Sequence, residues 1–241
     1  MEEKYKDYDF ESKNFYGATP ISKTQIIRYT TLHSLLDILI QKRLYFVRGD
    51  QFTDQLDGLS SIDFNDLPHK ELAEDIRMLT VISCWNKFKA ESFALWHIYS
   101  NMDRVGVAIK STVKCFKDSI MDSHHRKCLF YREVKYVNET QKHPIQSESL
   151  NPFVKKKWYE FEKEIRFSIS SAEYDKTPHH YRQFEEGLYI QIEPAILIKE
   201  VILSPHFHEW FIPTLKEILK SSGLDPNLIS TSKIKDSKLN R

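Results

Sequence analysis

Glycine is scarce, with six in 241 residues. Backbone loops that cradle phosphate need it, and no G-x-G-x-x-G, P-loop, H-E-x-x-H or G-x-S-x-G pattern occurs. Rossmann and P-loop chemistry is thereby excluded. Cysteine is also thin. Cys84, Cys115 and Cys128 are odd in number and show no C-x-x-C spacing, which excludes a disulfide framework and fits a reducing cytoplasm. No apolar run approaches the ~20 residues of a membrane span. The acidic, polar opening MEEKYKDYDF is not a secretory signal. Neither sign of charge dominates: 35 Lys plus Arg face 34 Asp plus Glu. That balance excludes a surface built to coat nucleic acid and leaves room only for a local basic patch. The expectation is a soluble cytoplasmic protein with no membrane partner.

The chain is 41% hydrophobic, 29% charged and 13% aromatic, a globular composition with enough length for one large core. Residues 1–22 read as an aromatic-bearing arm, 23–232 as a single α+β domain and 233–241 as a basic tail. In QIIRYT, Ile26, Arg28 and Thr30 alternate with Ile27 and Tyr29, the period of a strand. Thr30 or Thr31 caps a helix whose Leu32, Leu35, Leu36 and Leu39 share one face, and LYFV resumes as a strand. Residues 48–70 are loop-like. LTVISCW is a strand with Val81, Ser83 and Trp85 on one face, and Phe93, Trp96 and Tyr99 mark a helix. Strand VGVAIKS, a helix over 114–128 carrying His124, His125 and Cys128, and strand FYREVKYV follow. Strands and helices mixed in this way predict a bent mixed or antiparallel sheet flanked by helices.

The stretch Phe161–Phe167, FEKEIRF, is read as a strand with Ile165, Phe167 and Ile169 on one face. Glu162, Glu164 and Arg166 occupy the other, and covering three ionisable groups costs desolvation. That face therefore looks at water or at a polar cleft. No metal is assigned. His125 and Cys128 have i, i+3 spacing but no second ligand cluster, so the HHRK run is a solvated basic face. Asp50, Asp54 and Asp57 lie in a loop without EF-hand spacing.

What remains is a constellation of same-face pairs on separate strands: Arg28 with Thr30, Ser83 with Trp85, and Glu162 with Glu164. Around one cleft these suit a dinucleotide, with Arg28 for a phosphate or ribose, Trp85 as a stacking plate and a carboxylate for a ribose hydroxyl. A carboxylate there also stabilises an oxocarbenium-like transition state. The competing reading is an ion ladder in which Arg28 pairs with Glu162 or Glu164 across a sheet.

Several blocks resemble a bacterial family known only as a domain of unknown function. They are R-Y-T (Arg28–Thr30), F-T-D-x-x-D-G (Phe52–Gly58), S-C-W (Ser83–Trp85), A-L-W-x-x-Y-S (Ala94–Ser100), G-V-A-I (Gly106–Ile109) and F-E-K-E-I-R-F. Three elements are also similar to the ADP-ribosyltransferases: R-Y-T with the Ser34-Leu35-x-x-Ile38-Leu39 helix before Arg43-Leu44, the mid-chain strand bearing Ser83, and Glu162-Lys163-Glu164-Ile165. Arg43 stands where that family has glycine. The resemblance implies an ADP-ribosyltransferase-like fold with NAD as substrate. Arg28, Tyr29, Thr30, Ser83 and Trp85 would bind it, Glu164 would serve as the catalytic carboxylate and Glu162 would orient the nucleophile. It also implies a nucleic-acid or protein acceptor in a toxin or phage-defence setting, with an immunity partner. Trp96 and Tyr99 fall outside that pattern and are expected to pack a helix on the sheet. Two rivals come from the residues. One is a nucleic-acid- or nucleotide-binding module using Trp85, Trp96, Lys155–Lys157 and His124–Lys127. The other is a metal-dependent nuclease using Asp50, Asp54, Asp57 and Glu162.

Overall fold

A computed structural model describes residues 18–52, 57, 77–100, 105–138, 151–170 and 185–234. Most of the expected arm, most of the expected tail and Asp54 lie outside the described residues. The elements run β1 (Gln25–Thr31), α1 (Leu32–Gln41), β2 (Arg43–Arg48), β3 (Thr80–Lys87), α2 (Phe93–Ser100) and β4 (Gly106–Thr112). They continue with α3 (Val113–Ser119), α4 (Ser123–Lys127), β5 (Phe130–Glu133), β6 (Lys135–Val137), β7 (Val154–Lys156) and β8 (Glu164–Ser170). The last are β9 (Gly187–Gln191), α5 (Pro194–Leu197), β10 (Glu200–Leu203), α6 (Ile212–Ser221) and β11 (Ile229–Thr231). The class is α+β with mixed strand pairing, as the patterning predicts.

Two compact units form. The first draws on Met1–Pro20, Tyr45–Cys84 and Lys127–Leu188, the second on Ile21–Leu44, Trp85–Arg126 and Tyr189–Arg241.

In the second unit β1 runs antiparallel to β4 in register from Gln25↔Thr112 to Thr31↔Gly106. β10 pairs antiparallel with β4, and β11 parallel with β10. Thr31 ends β1 and caps α1, its hydroxyl accepting from the Ser34 N–H. The buried Leu32, Leu35, Ile38 and Leu39 are the apolar stripe that helical spacing requires. The core joins Ile27 and Tyr29 of β1, Leu95 and Trp96 of α2, Ala108 of β4 and Ile202 of β10. Trp96 packs the helix on the sheet. Its ring meets Tyr29 edge-on at 4.9 Å, and its Nε1 donates to Glu91.

The helix expected over 114–128 is two helices. Between them Ile120 forms a β-bridge with Ile192, and the Met121 N–H donates to the Gln191 carbonyl, so sheet pairing overrides helical propensity there.

In the first unit β8 pairs with β5 in register from Phe130↔Ser168 to Glu133↔Ile165, and also pairs with β3. The strand expected over FYREVKYV breaks at Val134, whose N–H donates to the Glu164 carbonyl; β6 then pairs parallel with β7. All seven residues of β8 are buried. The face carrying Glu164 and Arg166 therefore does not look at water, contrary to one of the two sequence readings. Nor does the strand extend back to Glu162. A 3-10 turn spans Lys157–Glu162, and Lys163 takes a left-handed conformation with φ of 46° before β8 begins.

Candidate functional site

The first unit holds a buried cluster of five charges. β7 supplies Lys155, β8 supplies Glu164 and Arg166 two residues apart on one face, and the 3-10 turn supplies Glu162. Asp57 is the fifth member, and all five are between 1% and 6% exposed. The left-handed step at Lys163 sets Glu162 out of strand register, yet its carboxylate still meets the same lysine as Glu164.

The Lys155 ammonium donates to Glu162 at 2.6 Å and to Glu164 at 2.9 Å, and lies 3.6 Å from Asp57. Arg166 donates from Nε to Glu164 at 2.5 Å, and from its two Nη atoms to the two oxygens of Asp57 at 2.7 and 2.8 Å. Nη1 also donates to the Pro152 carbonyl. The Glu164 N–H donates to the Tyr136 hydroxyl. The Tyr136 hydroxyl, as acceptor, thus pins the backbone of the residue whose side chain sits between two cations.

Three carboxylates share two cations here, so full ionisation would leave one negative charge without a counter-charge in a low-dielectric setting. The two glutamates respond in opposite directions. Burial, reinforced by a hydrogen bond and repulsion from Glu164, lifts the Glu162 carboxyl to about 7. Burial acts on Glu164 too, but Arg166, the bond from Glu162 and Lys155 outweigh it and hold Glu164 well below the usual carboxylate range. Burial likewise pushes up the neighbouring Cys84 thiol and the Tyr136 phenol. Two carboxyls in one site with separated affinities for a proton can divide the roles of fixed charge and proton acceptor.

The other expected site residues are placed differently. Arg28 and Thr30 are half-buried on β1 of the second unit, opposite Ile109 and Val107 of β4. Tyr29 is buried in the core, and its hydroxyl accepts from the Ser92 N–H. Ser83 is buried on β3 in the first unit. Trp85 is wholly buried with its ring edge-on to Phe116, so it offers no plate for stacking. The reason is its position on an interior strand, where its large apolar surface is driven inward.

Trp96, named with Trp85 in the nucleic-acid rival, is also wholly inside. The tryptophan open to solvent beside the basic run is Trp158. It is 65% exposed with the Lys156 ammonium 4.9 Å over its ring, and Phe161 on the same turn is 47% exposed. Of the residues named for a metal, Asp54 lies outside the described residues and the other three are engaged by cations. Asp50 pairs with Arg48 at 2.6 Å, while Asp57 and Glu162 close around the Lys155 ammonium. Among the described residues no group of three His, Cys, Asp or Glu side chains could hold a metal ion.

Sequence reasoning missed Lys155 as a site residue, reading it only as part of a basic segment for nucleic acid, and missed the structural part played by Asp57 and Arg166. Arg166 had a signal, because strand alternation puts it beside Glu164; Asp57 had none. A groove of about 700 Å³ in the second unit, lined by Ile212, Lys216 and residues 229–233, contains none of the expected site residues. Among the described residues no helix is long and apolar enough to cross a membrane.

No protein-family model matches the sequence, and no curated protein matches it. Three solved structures of DarT from Thermus sp. 2.9 are similar in fold at a distance. The complex with NAD+ is 13% identical with a TM-score of 0.38, over 89% of this chain and 98% of that one. The complex with carba-NAD+ is 13% identical with a TM-score of 0.36, over 88% and 100%. The complex with ADP-ribosylated ssDNA is 14% identical with a TM-score of 0.37, over 89% and 100%.

Proposed function

We propose that this chain is an ADP-ribosyltransferase-like enzyme that consumes NAD and uses Glu164 and Glu162 in the reaction. The observation behind this reading is the buried pair itself, with Glu164 kept ionised between Arg166 and Lys155 and Glu162 lifted to about 7. When the bond between ribose and nicotinamide breaks, nicotinamide leaves with the bonding pair and positive charge develops on the ribose. The Glu164 carboxylate stabilises that charge. As a nucleophile on the acceptor bonds to the anomeric carbon, ionised Glu162 takes its proton.

Glu164 has one oxygen on Lys155 and the other on Arg166, so a ribose reaches it only when Lys155 releases its bond. Arg28 for an NAD phosphate, with Thr30 and Ser83 in support, follows from the sequence resemblance. So do a nucleic-acid or protein acceptor, a bacterial cytoplasmic setting as a toxin or defence effector, and an immunity partner. Tyr29 and Trp85, both buried, are left out of the proposed NAD contacts.

The test is transfer of label from NAD to single-stranded DNA, RNA or protein, with NAD hydrolysis followed in parallel. Wild type should turn NAD over, and Glu164→Gln should fall by about 100-fold or more with the fold intact by circular dichroism. Equal turnover by the variant removes Glu164 from the chemistry. The full pairing and burial of Glu164 favour a second reading, in which the cluster is a polar core that ties β7, β8 and Asp57 together. It predicts no NAD turnover by wild type and a loss of stability in every variant of the five.

A further inference from the structure

Asp57 is used by no step above, yet it makes the most directional contact in the cluster. Its two oxygens accept from the two Nη atoms of Arg166 at 2.7 and 2.8 Å, a parallel fork that fixes one edge of a planar guanidinium. With that edge fixed, the direction of Nε is fixed too, and Nε is the atom that holds Glu164 at 2.5 Å. Asp57 also lies 3.6 Å from the ammonium that Glu162 and Glu164 share. Arg166 is 1% exposed, so no water competes for the fork.

We infer that Asp57 is a positioning residue: through Arg166 it aims the Glu164 carboxylate, and its charge brings the cluster to three carboxylates against two cations. This rests on the reading of Glu164 and Glu162 given above and adds a residue that neither sequence resemblance assigns a role. Glu164 and Lys155 act directly on the Glu162 carboxyl, the Tyr136 phenol feels its charge, and Asp57 and Arg166 act on the Lys155 ammonium that Glu162 shares. Removing the Asp57 charge makes the count two against two, and Glu162 then ionises at lower pH.

Glu162 is titrated in the full chain by ¹³C-carboxyl NMR, its resonance assigned by its loss in Glu162→Gln, in wild type, Asp57→Asn and Asp57→Glu. In Asp57→Asn the Glu162 midpoint should fall by about one pH unit. NAD turnover should lose about tenfold or more in kcat with KM within about twofold, and the acid limb of the rate profile should move with the NMR midpoint. Asp57→Glu keeps the charge but moves the fork by one methylene. It should hold the midpoint near wild type while kcat still falls, and it carries the test should Asp57→Asn fail to fold. An unmoved midpoint in Asp57→Asn overturns the inference. So does a kcat per folded molecule that is unchanged in either variant. If wild type turns over no NAD, the enzymatic reading fails by itself, and the NMR midpoints still decide whether Asp57 sets the proton on Glu162.

Discussion

Replacing Glu162 by Gln should remove a pH dependence of stability that wild type carries between about pH 5 and 8. In the folded protein the carboxyl binds its proton up to about 7, against 4.5 when unperturbed. The folded state therefore holds more protons than the unfolded state across this window, and stability falls as pH rises through it. The contribution is fully present below the unfolded value and lost above about 7. At roughly 1.4 kcal/mol per unit, the shift amounts to about 3 kcal/mol. Glu164 adds nothing to this window, because its carboxyl is held far below it and is ionised in both states. Glutamine keeps the shape and the hydrogen-bonding reach but carries no titrating proton. Urea unfolding at several pH values should show wild type losing about 3 kcal/mol from pH 5 to 8 relative to Glu162→Gln, with the variant the more stable at pH 8. The difference between the two curves isolates Glu162, since the histidines titrate in both proteins. Parallel curves, or a variant destabilised equally at every pH, would refute the charge count on which the argument stands.

Two further expectations concern stability. Arg166→Met leaves Glu164 and Asp57 buried without their guanidinium and should cost about 3–5 kcal/mol, read by thermal or urea unfolding; a cost under about 1 kcal/mol would mean that water enters the cluster. Trp96→Ala should cost about 3–5 kcal/mol and remove one of the hydrogen bonds to the Glu91 carboxylate, whereas Trp158→Ala should stay within about 0.5 kcal/mol, because only the first ring lies in a core. Similar costs for the two tryptophan variants would contradict the burial of one and the exposure of the other.

Local chemistry was legible in the sequence where local rules govern it. The two-residue period of Ile26–Thr30 and the Leu32–Leu39 stripe behind a threonine cap are complete within about a dozen residues, and β1 and α1 form there. Trp96 as a packing residue and Glu164 beside Arg166 on one strand face follow from the same periodicities. The backbone of Lys163 was not legible. Nothing in its side chain announces a left-handed conformation, and without it Glu162 reads as one more strand residue.

By itself the sequence determined an α+β class, the absence of glycine-loop phosphate chemistry and which residue types were at hand for a charged site. Only tertiary structure decided that Lys155 and Asp57 join that site, that Trp85 is core and that β8 has no face turned to water. Periodicity along a chain specifies which way a side chain points, whereas burial and ion pairing depend on what distant segments bring to meet it. Asp57 and Arg166, 109 positions apart, are the clearest instance.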